Sequence, residues 1–335
     1  MEVLNEMYFG KVIALQQLED IITKIKIKYE SDAHTNPFVT YHAVNKDELV
    51  KKMADLIRDQ FGFGEVIVTI SNESKLRAST LSFMADKNGI AYLDNLREVN
   101  MKDALVVTRE GIRYDTRKFK PSILIIISMG LLFSKYISSE QIVAALLHEI
   151  GHSFSKASIG SEEFTGRIDE KFADQFATMY GYGSELSKVL TFISDNKNDD
   201  LSTLKNIPVL NVFVGLTNIG KSLWNRGIIG NDHPTIDRRV SDSIKQMEYE
   251  LSRADNLTLK QKRELQRSID RSKEILDNYY NQDQSLSNKV FKYYVKNVEP
   301  NLGKEVDSNA HAEEYGSNEM VHNRLSELFK KKRKR

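Results

Sequence analysis

The amino-acid sequence predicts an α+β protein that is mainly helical and contains a small sheet. Apolar residues recur at helical spacing near the N-terminus and again beyond residue 234. Between these regions, short β-branched runs extend from residue 66 to residue 128. A helical pattern that contains the sequence HEIGH, His148 to His152, follows them. Together these observations predict one core with a small sheet, an N-terminal helix and a C-terminal helical hairpin.

Composition places the chain among ordinary folded proteins and restricts its chemistry. Of 335 residues, 40% are hydrophobic and 28% are charged, and Lys plus Arg (48) nearly balance Asp plus Glu (47). The net charge of +1 gives no global field that attracts nucleic acid, so no nucleic-acid partner is expected. The absence of cysteine excludes disulfides, cysteine-type zinc fingers and thiol nucleophiles, which leaves histidines and carboxylates as metal ligands.

Neither a secretory signal nor a transmembrane segment is expected. Glu2 and Glu6 lie where a signal peptide carries basic residues. The apolar runs Ile123 to Phe133 and Ile207 to Gly220 are shorter than the ~20 residues that span a bilayer. Because cysteine is also absent, the sequence predicts a soluble protein of the cytoplasm or another reducing compartment.

The first segment, residues 1–44, is predicted to be an amphipathic helix followed by a linker. Apolar residues recur at steps of three, four and seven from Leu4 to Tyr29, whereas Ser31 to Val44 is typical of a connection. Asn45 has the pattern of a cap that opens the next helix, at residues 46–61.

Strand candidates precede the HEIGH sequence. The clearest is Ser122 to Ser128 (SILIIIS), whose continuous apolar content predicts a strand buried on both faces. The other candidates are apolar runs separated by polar turns: Val66 to Ile70, Ala91 to Leu93, Ala104 to Thr108 and Ile112 to Tyr114. A short helical turn is predicted from Met129 to Phe133.

Helices are predicted after the sheet. Ser138 and Gln141 form a capping box before a helix that ends near Lys156. Further helical patterns follow at 167–180, 184–193 and about 204–224, and a hairpin face is marked by Leu265, Ile269, Leu276 and Tyr280. The chain is accordingly divided into a core at residues 45–240, a helical extension at 241–300 and a flexible tail with a basic end at 301–335.

The HEIGH sequence has the spacing of a metal site. His148 and His152 are four residues apart, so a helix places both imidazoles on one face, one turn apart. Glu149 lies beside the open position of such a site, where its carboxylate can take the proton from a zinc-bound water. A third ligand is needed for one zinc ion per chain, and Glu170 supplies it at the start of the next helix. Asp174, one turn further on, is expected to accept the second ring N–H of a ligand histidine.

These motifs resemble those of the gluzincin metallopeptidases, and more narrowly those of the HtpX and CAAX prenyl protease family. In that family a buried strand and a GLL turn lead into the HExxH helix, as in SILIIISMGLLFSKYISSEQIVAALLHEIGH here. The family's ExxAD motif corresponds to EKFAD, residues 170–174, and its HP segment ending in an arginine resembles Asp232 through Arg239. The resemblance covers about residues 122–240. Integral-membrane members carry spans that this sequence lacks, so a soluble variant is implied.

The resemblance implies a zincin-like core that hydrolyses peptide bonds in a protein or peptide substrate. It also implies a downstream donor to the tetrahedral oxyanion, for which we expect His233, with Tyr180 and Tyr182 as alternatives. Arg238 and Arg239 are expected to pair with acidic helix faces rather than with substrate.

The same motifs also allow a protein that is not an active enzyme. The protein can instead be a catalytically inactive or latent structural or assembly protein, in which zinc ties two helices together. In either case the terminal helices are expected to provide structural cover or contacts for self-association. The basic end, Lys330 to Arg335, is expected to be solvated rather than to bind nucleic acid.

Overall fold

The computed structural model describes residues 8–86, 89–92, 105–158, 166–197, 236–252 and 257–281. The helices of these ranges are α1 (Ile13–Thr35), α2 (Pro37–Asn45), α3 (Glu48–Phe61), α4 (Met129–Leu132), α5 (Ser139–Ser158), α6 (Gly166–Met179), α7 (Gly183–Lys197), α8 (Ile236–Ser252) and α9 (Leu259–Asn281). The strands are β1 (Val66–Ser71), β2 (Ala78–Asp86), β3 (Gly89–Tyr92), β4 (Leu105–Thr108), β5 (Gly111–Tyr114) and β6 (Ser122–Ser128). The predicted α+β class, mostly helical with a small sheet, is confirmed.

The N-terminal helix has the predicted apolar face but different ends. It begins at Ile13, so the prediction that Tyr8 lies in this helix is wrong. Its buried residues include Leu15, Leu18, Ile22 and Ile25. The predicted connection from Ser31 to Val44 is wrong, because this stretch contains the end of α1 and most of α2. Pro37 occupies the first turn of α2, where its fixed φ suits a helix and its missing N–H leaves no donor unpaired.

The cap of α3 is Asp47, not Asn45 as predicted. The Asp47 carboxylate accepts a hydrogen bond from the Leu49 N–H at 2.8 Å. Asn45 instead pairs with the backbone of Ile70 in β1, accepting from its N–H at 2.8 Å and donating to its carbonyl at 2.9 Å. The side chain of Asn45 therefore takes the place of a neighbouring strand at one point of this sheet edge.

The main sheet is mixed and has the strand order β1-β6-β2-β3. Strand β6 is parallel to β1 and antiparallel to β2, and β4 and β5 form a separate antiparallel pair. The isoleucines at 123, 125 and 127 in β6 have no exposed surface, whereas Leu124 and Ile126 are partly exposed. The prediction that β6 is buried on both faces therefore holds fully for one face only.

Strand β2 was not predicted, because its polar residues face inward. Thr80 donates a hydrogen bond to the Glu149 carbonyl of α5 at 3.0 Å, and the hydroxyls of Ser82 and Ser153 are in contact. Leu81, between them, is 47% exposed. The strand thus reverses the usual alternation of apolar residues inside and polar residues outside.

The core surrounds α5, whose residues Ile142, Leu146, Ile150 and Phe154 are fully buried, as the four-residue spacing predicts. A second, smaller apolar cluster joins the N-terminal segment to the last two helices: Tyr8, Val240, Ile244, Met247, Leu265 and Ile269. The packing of α8 against α9 confirms a helical pair beyond residue 236. Within the described ranges, no helix has the length and apolarity needed to cross a membrane.

Several predictions fall outside the described residues. These are the helix at about 204–224, the segment Asp232 to Pro234, residues 1–7 of the predicted N-terminal helix and the tail at 301–335. The division of the chain at residues 44, 240 and 300 stays a prediction.

Candidate metal centre

Helix α5 presents the two histidines of the HEIGH sequence to one point. The helix opens with the predicted capping box, in which the Gln141 side chain accepts from the Ser138 N–H at 2.7 Å. Two and a half turns later, the Nε2 atoms of His148 and His152 lie 3.2 Å apart, with their rings nearly perpendicular at 82°. The turn-by-turn repeat of the helix therefore brings the two ring nitrogens together.

Glu170, in the first part of α6, completes a group of three. Its carboxylate oxygens lie 3.6 Å from His148 Nε2 and 3.8 Å from His152 Nε2. The side chains are almost enclosed, with 11% of His148, 17% of His152 and 9% of Glu170 exposed. Among the described residues, this is the group of histidines and carboxylates that is close enough to hold one metal ion.

The distances between these side chains suit a single metal ion. The two imidazole Nε2 atoms are 3.2 Å apart, and the two oxygens of Glu170 lie 3.6 Å from one of them and 3.8 Å from the other. One possible ligand atom from each residue lies within 4.8 Å of the other two. Two imidazoles and one carboxylate are donors that suit zinc and other divalent first-row metals.

A glycine allows the two ligand-bearing helices to approach each other. A methyl group at Gly151 in α5 would lie 2.8 Å from Ala173 Cα and 3.1 Å from Phe176 Cβ in α6. Only the absence of a side chain at 151, opposite the small side chain at 173, permits this distance. The fourth residues of HEIGH and EKFAD, Gly151 and Ala173, thus set the separation across which Glu170 meets the histidines.

Asp174 lies behind His148, as predicted. Its Oδ1 atom is 2.9 Å from His148 Nδ1, so the carboxylate can accept the proton of that nitrogen and leave Nε2 for a metal. Although burial alone raises the pKa of Asp174, the guanidinium of Arg239 and the contact with His148 hold this pKa well below its usual range. Asp174 is therefore ionised at neutral pH.

Arg239, from α8, completes this side of the site. Its Nε and Nη2 atoms donate to the two oxygens of Asp174 at 2.8 and 2.7 Å, and Nη2 lies 3.2 Å from Glu170. Although burial lowers the pKa of Arg239, the charges of Asp174, Glu170 and Glu149 raise it further above its usual range. The prediction that Arg239 pairs with an acidic helix face is confirmed.

Sequence reasoning missed Asp169, which lies behind the other histidine. Its Oδ1 atom is 2.9 Å from His152 Nδ1, and the Ser155 hydroxyl contacts the same oxygen. Burial lowers the pKa of His152, but the contact with Asp169 outweighs burial and raises it. The sequence feature that could have identified Asp169 is its position directly before Glu170, one residue outside the family's ExxAD motif.

Glu149 follows His148 on α5 and is held at its backbone by Thr80 of β2. Burial raises the pKa of the Glu149 carboxyl, while the nearby charges of His148 and His152 act in the opposite direction. A carboxylate beside a metal site with a raised pKa is a better proton acceptor than a solvated one. Its catalytic role stays a prediction.

The structure does not place the predicted oxyanion donors beside His148, His152 and Glu170. The Tyr180 hydroxyl accepts from the Ile112 N–H at 2.9 Å, and the Tyr182 hydroxyl donates to Glu19. Both hydroxyls are thus engaged away from the histidines. His233 lies outside the described residues.

Comparisons with protein-family models, with curated proteins and with solved structures found no match for this chain. The site is therefore interpreted from its own residues and geometry.

Proposed function

We propose that this protein is a zinc-dependent endopeptidase in which Glu149 is the general base. The observation that carries the proposal is the convergence of His148, His152 and Glu170 at separations of 3.2 to 3.8 Å, with Glu149 on the same helix. The donor set suits zinc, and three protein ligands leave a position for water or substrate.

The chemistry follows from the residues around this position. A zinc ion held by His148, His152 and Glu170 would polarise the substrate carbonyl and lower the pKa of a bound water molecule to about 7. Glu149 accepts the proton that this water loses as it attacks the carbonyl carbon. It then passes the proton to the nitrogen that leaves as an amine, so the carboxylate is regenerated at the end of the cycle. Asp174 and Arg239 hold His148 in place throughout.

The motif order supports placing the chain near the HtpX and CAAX prenyl proteases. A buried strand, a GLL turn, HEIGH, EKFAD and a later arginine occur in that order, and the structure brings the HEIGH, EKFAD and Arg239 side chains into contact. On this proposal the core is zincin-like, the protein acts without membrane spans of its own, and the substrate is a protein or peptide.

The test combines metal analysis with a cleavage assay on the full chain. We expect one zinc per chain by elemental analysis, and cleavage of a peptide library by the wild type. Glu149→Gln, which is nearly isosteric and leaves all three predicted ligands in place, should keep the zinc and lose cleavage. One zinc with no cleavage by the wild type favours the structural or latent protein instead, and no bound metal overturns both.

A further inference from the structure

We propose that Asp169 is a positioning residue that fixes the ring of His152 for metal binding. The inference rests on the proposed metal site, but it concerns a residue that lies outside the HExxH and ExxAD motifs. Each proposed ligand histidine then has its own carboxylate partner, Asp174 for His148 and Asp169 for His152.

The fold places Asp169 directly behind the ring of His152. Asp169 is in the first turn of α6, directly before the ligand Glu170, so the same turn of helix carries a metal ligand and the carboxylate behind another ligand. Its Oδ1 atom lies 2.9 Å from His152 Nδ1, and its side chain is only 16% exposed. The distance equals that between Asp174 and His148 on the other side of the site.

The Nδ1 atom of His152 needs a hydrogen-bond acceptor when Nε2 binds a metal. An imidazole that offers the lone pair of Nε2 to a metal carries its proton on Nδ1, and a buried N–H needs an acceptor. His152 Nδ1 is buried and is not aligned with any partner as a hydrogen bond, although Asp169 lies at contact distance. A small rotation of the ring therefore lets the Nδ1–H donate a hydrogen bond to Asp169. Among the described residues, Asp169 is the carboxylate within ion-pair distance of this nitrogen.

Asp169 is itself held in place by Ser155. The Ser155 hydroxyl, on α5, contacts Asp169 Oδ1 and also lies 2.9 Å from the carbonyl oxygen of His152. The carboxylate is thus located against the backbone of the helix that carries the histidine. This arrangement limits where the oxygen can lie relative to the ring.

If Asp169 only stabilised helix α6, its substitutions would have different effects from those expected of a residue that positions His152. A carboxylate in the first turn of a helix also stabilises the helix dipole, and this effect depends on charge rather than on the position of one oxygen. Asp169→Asn keeps an oxygen acceptor but removes the charge, whereas Asp169→Glu keeps the charge but displaces the oxygen by one methylene. Glu48→Gln is the matched control, because Glu48 is exposed in the first turn of α3.

The experiment measures the zinc dissociation constant of the full chain by competition with a chromophoric chelator. We expect Asp169→Ala to weaken zinc binding about 10- to 100-fold, the range found when the outer hydrogen-bond partner of a metal ligand is lost. Asp169→Glu should also weaken binding, while Asp169→Asn should stay close to the wild type and Glu48→Gln should be unchanged. If Asp169→Ala does not fold, the contrast between the Asn and Glu variants decides.

Two results overturn the inference. One is wild-type zinc affinity in Asp169→Ala or Asp169→Glu, and the other is an equal loss in the Asn and Ala variants, which points to charge alone. The readout is independent of cleavage, so a wild type that binds zinc but cuts no peptide overturns the peptidase while leaving this inference intact. A wild type that binds no zinc overturns both.

Discussion

The guanidinium of Arg239 binds both carboxylate oxygens of Asp174, at 2.8 and 2.7 Å, although 65 residues separate the two in sequence. Both side chains are buried, with 11% and 8% exposed. This pair connects α8 to α6 and, through His148, to α5. The candidate metal centre is therefore built from three helices, and the three proposed ligands lie on two of them, α5 and α6.

Breaking this pair should destabilise the fold. Arg239→Met leaves the Asp174 charge buried without its cation, which costs about 3–5 kcal/mol for buried pairs of this kind. Arg239→Lys restores the charge but not the two-point contact, so an intermediate loss is expected. Chemical denaturation at pH 7 measures both variants, and an unchanged midpoint in Arg239→Met contradicts the assignment.

The same pair predicts a dependence on acid. The folded-state pKa of Asp174 is depressed below its ordinary value of 3.8, so its contribution to stability is complete above that pH and is lost as the pH falls below it. The stability difference between the wild type and an Asp174→Asn variant should therefore be constant near neutrality and shrink below about pH 4. Denaturation curves at pH 7, 5 and 3 test this sign.

Gly151→Ala should separate the ligand-bearing helices. Alanine at a helical glycine ordinarily gains about 1 kcal/mol, but here the methyl group lies 2.8 Å from the Ala173 backbone. Overpacking of this kind costs about 1–3 kcal/mol, so a net loss of stability and weaker zinc binding are expected. Gly183→Ala is the control, since its methyl group would meet side-chain atoms of Met247 and Thr178 at 3.1 to 3.2 Å, and a smaller effect is expected there.

Asp47 should stabilise the N-terminal region in two separable ways. Its Oδ1 atom caps α3, and its Oδ2 atom accepts from Lys28 and Tyr29, both at 2.6 Å. Asp47→Asn keeps a capping oxygen and loses the charge, whereas Asp47→Ala loses the cap as well and should cost about 1 kcal/mol more.

The pH profile of these variants distinguishes charge from cap. Burial raises the pKa of Asp47, but Lys28, Tyr29 and the Leu49 N–H outweigh burial and lower it from 3.8 to about 2. The advantage of the wild type over Asp47→Asn is therefore present above pH 3.8 and disappears as the pH falls through about 2. Thermal melts from pH 7 to pH 2 measure it, and a difference that grows in acid would contradict the assignment.

Tyr8→Ala should loosen the pair of helices α8 and α9. The ring is 8% exposed and packs with Val240, Met247 and Ile269 in the smaller apolar cluster. Removing a buried aromatic ring costs about 3–5 kcal/mol, whereas Tyr8→Phe keeps the ring and should be nearly neutral. Limited proteolysis provides the readout: cleavage within α8 and α9 should accelerate in the Ala variant alone.

Local sequence patterns predicted most of the candidate site. The spacing of His148 and His152 depends only on the repeat of one helix, and Glu170 and Asp174 are one turn apart on the next. Such relationships are fixed by helix geometry, so they need no knowledge of the surrounding fold. The approach of one pair to the other was predicted differently, from the need of a metal for a third ligand and from the resemblance to the family motifs.

What the sequence did not reveal depends on contacts between distant elements. Strand β2 has its polar residues inward because Thr80 and Ser82 bond to α5, so no alternation of apolar residues marks it. Asn45 resembles a helix cap, but its side chain is taken by Ile70 of β1. Asp169 becomes informative only when α6 places it beside His152. In each case a tertiary partner competes with the local pattern.

The apolar cluster that contains Tyr8 and Ile269 can form only after both residues have been synthesised. At about 5–20 residues per second, some 13 to 50 s pass between the two residues leaving the ribosome. The metal ligands are complete about 3 to 14 s before Arg239 is made, at the same rates. The nascent chain therefore contains all three proposed ligands before the arginine that holds Asp174 is made, so the order of synthesis separates the two parts of the site.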